Sequence, residues 1–496
     1  MSLYAMACRA SIPFQRALPH AFRALSTTTA PTTRGGAGLS ASLSPEGLVV
    51  SFPGLGSRAI FHGMWLLDHC PSTRHALTGQ RMIDLHGIPL NVQPASVRCA
   101  AGGEGGGGGS VHLTWPGMQH TSTFSAAWLR QHAYWWETPA AAPGKGAGVG
   151  HPPRGAPASS EGALAVWWED AARDASQRVV WTAATLQGGN SEGSGGRGEG
   201  LLPRVPHGAF MGGTEGLARA LVLLRDYGFV LVDGCPGTEA ATEAACLRIG
   251  FLRPTLYGAG MWRTELRPAQ GVTDTAYTEL PLALHTDGNY LECPPGLQAF
   301  HCTVPDASGG GDSLLLDGLA LARRLQAKDP AAFALLCVWP LPYHHTGSDG
   351  LLSASRPVFA LDASGNVEAV HFNNSDRGPV TLQPSWGREL ALARALCGSA
   401  GAAPGGAALA VQATLASPAT AIPALYSALR ALHECLESPE LLFRIPLRQG
   451  MLLIFNNQRV LHGRLGFEVA SGRTLVGCYQ GRDEWESRLR ELLAKQ

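Results

Sequence analysis

Two residues of "LALHTDGNYLEC" (282–293) stand out by chemistry: His285 and Asp287, spaced two apart behind an apolar run. In a strand, side chains at i and i+2 leave the same face, so an imidazole and a carboxylate would aim together at whatever that face encloses. A hydrogen-bonded pair at a strand end would leave the same trace. The spacing alone does not separate that reading from part of a metal site.

A third ligand-type residue, His462, follows an apolar strand and a turn in "FNNQRVLHGR", and Arg473 lies eleven residues further on at the start of "RTLVGCYQ". Two histidines and one carboxylate can hold one face of a non-haem Fe(II), leaving three positions for cosubstrate and O2. An arginine at that distance could grip the far carboxylate of 2-oxoglutarate with a planar fork that lysine cannot copy. The ordered set of His285, Asp287, His462 and Arg473 is far more specific than any of its members.

These residues need a scaffold, and the chain from about 204 onward offers one. "EGLARALVLLRDYG" has helical periodicity, and "FVLVDG" reads as a buried strand closed by a turn. "LQAFHCTV", "SLLLDG", "AVHFNN", "MLLIFNN", "RVLHGR" and "RTLVGCYQ" follow as short strands, interrupted by helix-like stretches at 316–327 and 423–437. The expected fold is mainly β with flanking helices, a sandwich or barrel. Upstream, residues 46–185 read as a small β-rich domain carrying Gly- and Pro-rich insertions, including "GGEGGGGG" at 102–109. A flexible linker at 186–203 precedes the catalytic domain at 204–496. That linker contains Gly189-Asn190-Ser191-Glu192-Gly193, which fits the nucleophile elbow G-x-S-x-G but lacks the strand and helix an elbow needs.

At the level of sequence the region 204–492 resembles the carnitine-biosynthesis dioxygenases, the trimethyllysine and γ-butyrobetaine enzymes. "IGFLRPTLYG", "DTAYT", "LHTDGNYLECPPGLQAFHC", "GGGDSLLLDG", "FNNSDR", "NNQRVLHGR" and "GCYQGRDEWESRLREL" carry the likeness. It implies a double-stranded β-helix (jelly roll) that binds Fe(II) through His285, Asp287 and His462 and 2-oxoglutarate through Arg473. It further implies O2 as co-reactant, ascorbate as reductant, and hydroxylation of a small quaternary-ammonium substrate. The family's aromatic cage maps onto Tyr257, Trp262, Tyr277 and Tyr479, although "YGAGMW" has an extra residue before the tryptophan; ring faces attract a cation that has no hydrogen to donate. For the substrate's head group the "FNNSDR" match offers Asp376 or Arg377. Several motifs lie nearer the trimethyllysine enzyme, which acts at C3 and yields succinate and CO2. γ-Butyrobetaine hydroxylation to carnitine, or a non-catalytic quaternary-ammonium-binding protein on the same scaffold, are the competing readings.

Region 61–130 resembles the family's small N-terminal domain, where relatives hold Zn(II) with three cysteines and a histidine. Here Cys70 is in place, Ser72 and His75 stand at cysteine positions, and His120 matches the histidine. Three ligands without a fourth hold zinc poorly.

Bulk composition narrows the partners. The 38 basic and 38 acidic residues balance, giving no general attraction to nucleic acid or to an anionic membrane. No apolar run approaches the roughly 18 residues of a spanning helix. The 11 cysteines show no C-x-x-C pair, as expected in a reducing compartment. A homodimer is compatible with everything above. Residues 1–45 hold Arg9, Arg16, Arg23 and Arg34 and no acid before Glu46, the pattern of an organelle transit peptide, mitochondrial or plastid.

Overall fold

A computed structural model describes residues 33–34, 39–137, 177–186, 202–264, 275–380 and 417–495, apart from 53–54, 56, 76–79, 102–108, 119, 306–309, 348–349, 363 and 468–471. Most of the arginine-rich leader, most of "GGEGGGGG", "ALAVWWED" (163–170) and the G-x-S-x-G stretch lie outside the described residues.

Two sheets face each other across the catalytic region. Its strands are β1 (Arg204–Pro206), β2 (Phe229–Asp233), β3 (Met261–Thr264), β4 (Leu282–His285), β5 (Leu297–Val304), β6 (Ser313–Asp317), β7 (Phe443–Ile445), β8 (Met451–Asn456), β9 (Val460–Arg464) and β10 (Thr474–Gln480). The six-stranded sheet has the order β3-β10-β5-β8-β2-β1, the four-stranded sheet β4-β9-β6-β7. All pairings are antiparallel except β1 with β2. This is the jelly-roll arrangement. Near-continuous apolar runs such as Leu452–Phe455 and Leu314–Leu316 are buried because the sheets pack on each other and are backed by helices.

Helices α1 (Thr214–Tyr227), α2 (Glu239–Leu247), α3 (Gly318–Lys328), α4 (Pro330–Val338), α5 (Pro418–Leu436) and α6 (Arg482–Ala494) flank the sheets. α1 buries Leu217, Leu221 and Leu224 in the cluster that also holds Val230, Ile454 and Trp485. α4, "PAAFALLCV", has no polar face because both its sides are covered. The "AVHFNN" strand is shorter than its apolar pattern suggests: it covers Val367–Val370, and His371–Asn374 leave it to approach the turn after β4.

The N-terminal region forms a five-stranded and a three-stranded sheet. Its first sheet already includes Ser40–Ser44, with Leu39 and Ala41 fully buried. Thr33–Arg34 pairs with Ser40–Ala41 in the same sheet, so a leader ending at residue 45 would cut into folded structure. One apolar core runs from Leu39 through Trp65 and Phe124 to α4, α5 and Leu461, joining this region to the catalytic sheets.

A buried ionic knot fixes that junction. Asp68 takes Arg377 Nη2 at 2.9 Å, with Arg81 and the Tyr426 hydroxyl also bonded to its carboxylate. Burial opposes the charged carboxylate, but the two guanidiniums hold it well below the usual carboxylate range. Arg81 also ties its own backbone N–H to Ser375 O at 3.0 Å. Removing Asp68 leaves two buried guanidiniums without their anion. Asp68→Ala is expected to cost about 3–5 kcal/mol in urea unfolding of the whole chain; a loss under about 1 kcal/mol would mean that the knot does not hold the region in place.

Candidate active site

The strand register explains how the two histidines meet. His285 is the last residue of β4 and lies directly opposite His462 of β9, so their rings stand 4.3 Å apart between centroids. Asp287 is not on the strand, as an i, i+2 pattern would have it. Thr286 N–H bonds to Phe372 O at 2.8 Å, which turns the chain out of the ladder before Gly288. The turn still returns the carboxylate to the imidazoles: Oδ1 is 3.2 Å from His285 Nε2 and Oδ2 is 3.8 Å from His462 Nε2. All three ligand atoms lie within 4.8 Å of one another.

Two of the three groups, His462 and Asp287, are held in the form that binds a metal. His285 Nδ1–H donates to Ala283 O at 2.7 Å, which leaves Nε2 facing the cluster. Burial pushes His462 down to about 3, helped by the neighbouring His285, so its ring is neutral at working pH. Burial works against the Asp287 anion, yet the two histidines and the Tyr479 hydroxyl hold its carboxyl well below the usual range. The same pairing raises His285 against its own burial. Two imidazoles and an ionised carboxylate, with no fourth ligand in the cluster among the described residues, are a donor set that fits Fe(II) and leaves positions open.

Arg473 precedes β10 and lines the same cavity of about 860 Å³. Its stem crosses Gly311, which has φ +69° and where a Cβ would meet Arg473 Nε at 2.7 Å. The guanidinium lies 5.5 Å from the Phe467 ring centre.

The four aromatics also reach this cavity. Tyr257 stands 6.2 Å from Tyr479 and 6.4 Å from both Trp262 and Tyr277, and Trp262 stands 5.5 Å from Tyr479, all tilted rather than stacked. The extra residue in "YGAGMW" does not displace Trp262. Its ring passes over Gly477 of β10, where a Cβ would meet it at 2.4 Å. Tyr277 sits on a short turn that Arg464 grips through Thr278 O and Leu280 O at 2.6 and 2.9 Å. Arg464 lies two residues past His462 on the same strand.

Asp376 and Arg377 separate. Asp376 lines the cavity and takes Asn373 Nδ2 at 2.8 Å and Gln80 Nε2 at 3.1 Å, whereas Arg377 is buried in the Asp68 knot. An arginine beside a cavity motif reads as a ligand partner in sequence; its anion lies more than 300 residues away in the chain. Sequence reasoning also missed Gln80, whose Oε1 accepts Thr275 N–H at 2.7 Å and so braces the turn bearing Tyr277. It further missed Asn457, which clamps the Asp287 backbone in both directions at 2.8 and 3.0 Å. The "NN" after β8 was the only signal for the latter. In the N-terminal region, Cys70 Sγ meets Ser72 Oγ at 3.0 Å and His120 Nε2 at 3.2 Å, and Ser122 Oγ completes the group at 3.2 Å from His120. His75 does not join it in a three-ligand cluster among the described residues.

A jelly roll whose two sheets enclose a cluster of two histidines and a carboxylate defines a non-haem iron oxygenase. The model of the taurine catabolism dioxygenase TauD, TfdA family matches residues 214–479, and the chain belongs to that family. It is an Fe(II)- and 2-oxoglutarate-dependent dioxygenase. The chain is similar to a γ-butyrobetaine dioxygenase of Pseudomonas sp., 29% identical with 86% of this chain and 89% of the relative covered. A trimethyllysine dioxygenase of Meyerozyma guilliermondii is 27% identical over 88% of this chain and 90% of its own. The mitochondrial trimethyllysine dioxygenase of Rattus norvegicus is 28% identical, over 86% and 80%.

A second acid–histidine group lines the cavity. His433 on α5 has Nε2 3.3 Å from Asp84 and 3.4 Å from Glu437. Burial disfavours its charge, but the two carboxylates outweigh that and raise it to about 9. Its folded value exceeds the unfolded 6.5, so the stabilisation is complete below about pH 6.5 and fades as pH rises through 9. Relative to His433→Leu, the native chain should lose on the order of 2 kcal/mol of its advantage between those pH values, discounting for the partly exposed Asp84. Thermal unfolding of both proteins across pH 6–10 tests this, and a pH-independent difference would remove the charge pairing.

Proposed function

We propose that this enzyme hydroxylates C3 of N6,N6,N6-trimethyllysine in carnitine biosynthesis, with succinate and CO2 as co-products. In this reading His285, Asp287 and His462 hold Fe(II), and Arg473 pairs with the distal carboxylate of 2-oxoglutarate. The bound iron and 2-oxoglutarate would supply the oxidising power from O2, with ascorbate keeping the metal reduced. The protein's own task is positioning: one C–H must be held near the metal while the flexible chain of the substrate is immobilised.

The observation that carries the reading is the convergence of Tyr257, Trp262, Tyr277 and Tyr479 on the metal side of one cavity. A trimethylammonium group cannot donate hydrogen bonds, so ring faces are the natural partner for it. The buried Asp376 carboxylate on the same cavity supports an amino-acid substrate, because trimethyllysine carries an α-ammonium that γ-butyrobetaine lacks. The names of the fungal and rat relatives agree. γ-Butyrobetaine hydroxylation is the second reading, favoured by the bacterial relative. The arginine-rich leader is read as mitochondrial, in keeping with the rat relative's name.

Turnover of 2-oxoglutarate with Fe(II) and ascorbate, run with each substrate, separates the two readings. Trimethyllysine is expected to give coupled succinate and hydroxylated product, and γ-butyrobetaine little; the reverse ranking would overturn the assignment. Arg473→Ala should raise the 2-oxoglutarate requirement by the equivalent of about 2–5 kcal/mol, because a buried bidentate pair is lost. If trimethyllysine affinity changed and 2-oxoglutarate affinity did not, Arg473 would have a different role.

A further inference from the structure

Asp287 is reached from both sheets. Its backbone belongs to the turn after β4 in the four-stranded sheet, while two side chains of the six-stranded sheet bond to its carboxylate. Gln298 of β5 and Tyr479 of β10 are direct cross-strand partners, and both are buried. Gln298 Nε2 donates to Asp287 Oδ2 at 2.6 Å, and the Tyr479 hydroxyl donates to the same oxygen at 2.8 Å. Each carboxylate oxygen has about two lone-pair sites, so two donors fill Oδ2. Gln298 Nε2 also reaches the Tyr479 hydroxyl at 3.5 Å, while its Oε1 has no hydrogen-bond partner among the described residues, so the amide is oriented by the carboxylate and the tyrosine together. Asn457 holds the Asp287 main chain from the other side.

We propose that Gln298 and Tyr479 are positioning residues that keep Asp287 Oδ2 off the metal, so that the carboxylate presents Oδ1 alone. This rests on the reading of His285, Asp287 and His462 as the iron ligands. Its consequence is a coordination count. A carboxylate that chelates through both oxygens takes one position more than a carboxylate bound through one. With two histidines and a single carboxylate oxygen, three positions remain, enough for a chelating 2-oxoglutarate and for O2. A slack Asp287 would swing to chelation and compete with the cosubstrate. The same Tyr479 side chain thus serves two surfaces: its ring faces Trp262 and Tyr257, and its hydroxyl fixes the ligand.

The test uses the full chain stripped of metal and titrated with Mn(II), followed by the electron paramagnetic resonance of free Mn(II). Tyr479→Phe keeps the ring and removes the hydroxyl; Gln298→Met removes the second donor. Neither should lose Mn(II) by more than about threefold, because a carboxylate that swings to chelation keeps its bond to the metal. Under anaerobic conditions the charge-transfer absorption of Fe(II)-bound 2-oxoglutarate should form only at higher 2-oxoglutarate in each variant. Unfolding temperature serves as the check on folding, and a variant that does not fold is replaced by Gln298→Asn, whose shorter amide falls short of Oδ2 and should give the same outcome. A 2-oxoglutarate titration within twofold of wild type in both variants, or loss of Mn(II) binding in either folded variant, would overturn the proposal. His285→Ala, measured in parallel, distinguishes the failures: if it leaves Mn(II) binding intact, the iron-ligand reading falls, and if it abolishes binding while the 2-oxoglutarate titrations of the other variants stay unchanged, only the positioning role falls.

Discussion

Everything in the site depends on the cross-strand pair of His285 and His462. Because they are register partners at the end of β4, their Cα atoms are held side by side by the ladder between β4 and β9. In the proposed metal site, that constraint sets two of the three ligands. The third is supplied by a turn, and turns are pliant. Here the turn is made rigid by Thr286 on Phe372, by Asn457 on the Asp287 main chain, and by two donors from the opposite sheet. A pre-formed donor set of this kind spares the binding event the cost of ordering its ligands.

The same logic extends outward. β9 carries His462 and then Arg464, which holds the turn of Tyr277; β10 carries Gly477 beneath Trp262 and Tyr479 beside Asp287. Two strands therefore set both the metal cluster and the aromatic wall, and their relative register keeps the two in line. The N-terminal region closes the cavity. Gln80 braces Thr275 and Asp376, while Arg81 bonds to Ser375 O and to the Asp68 knot, so the far wall of the cavity is built across the junction.

Much of this was legible in the sequence because the chemistry is local. His285, Asp287 and His462 fall in short motifs flanked by apolar strands, and Arg473 opens the next strand. A sandwich or barrel followed from many short strands bounded by Gly, Asn and Pro, and the resemblance narrowed it to a jelly roll. What stayed hidden depends on distance along the chain. Arg377 looks like a substrate partner until Asp68, 309 residues upstream, is seen to claim it. Gln80 reaches Thr275 and Asp376 across 195 and 296 residues, and no periodicity announces such contacts. Asp287 left its strand because Phe372, two residues past a strand that stops early, captured Thr286. The extent of the first sheet was missed for another reason: Ser40–Ser44 has the composition of a leader but pairs fully with Gly47–Ser51.

The central claim is that the aromatic wall delivers one part of a quaternary-ammonium amino acid to the metal. Paramagnetic relaxation of trimethyllysine protons, recorded with Mn(II) in the metal position and 2-oxoglutarate present, measures this directly through its steep dependence on distance. The account predicts that the C3 protons relax fastest and the N-methyl protons more slowly. Fastest relaxation at the N-methyl groups, or no enhancement at any proton, would contradict it.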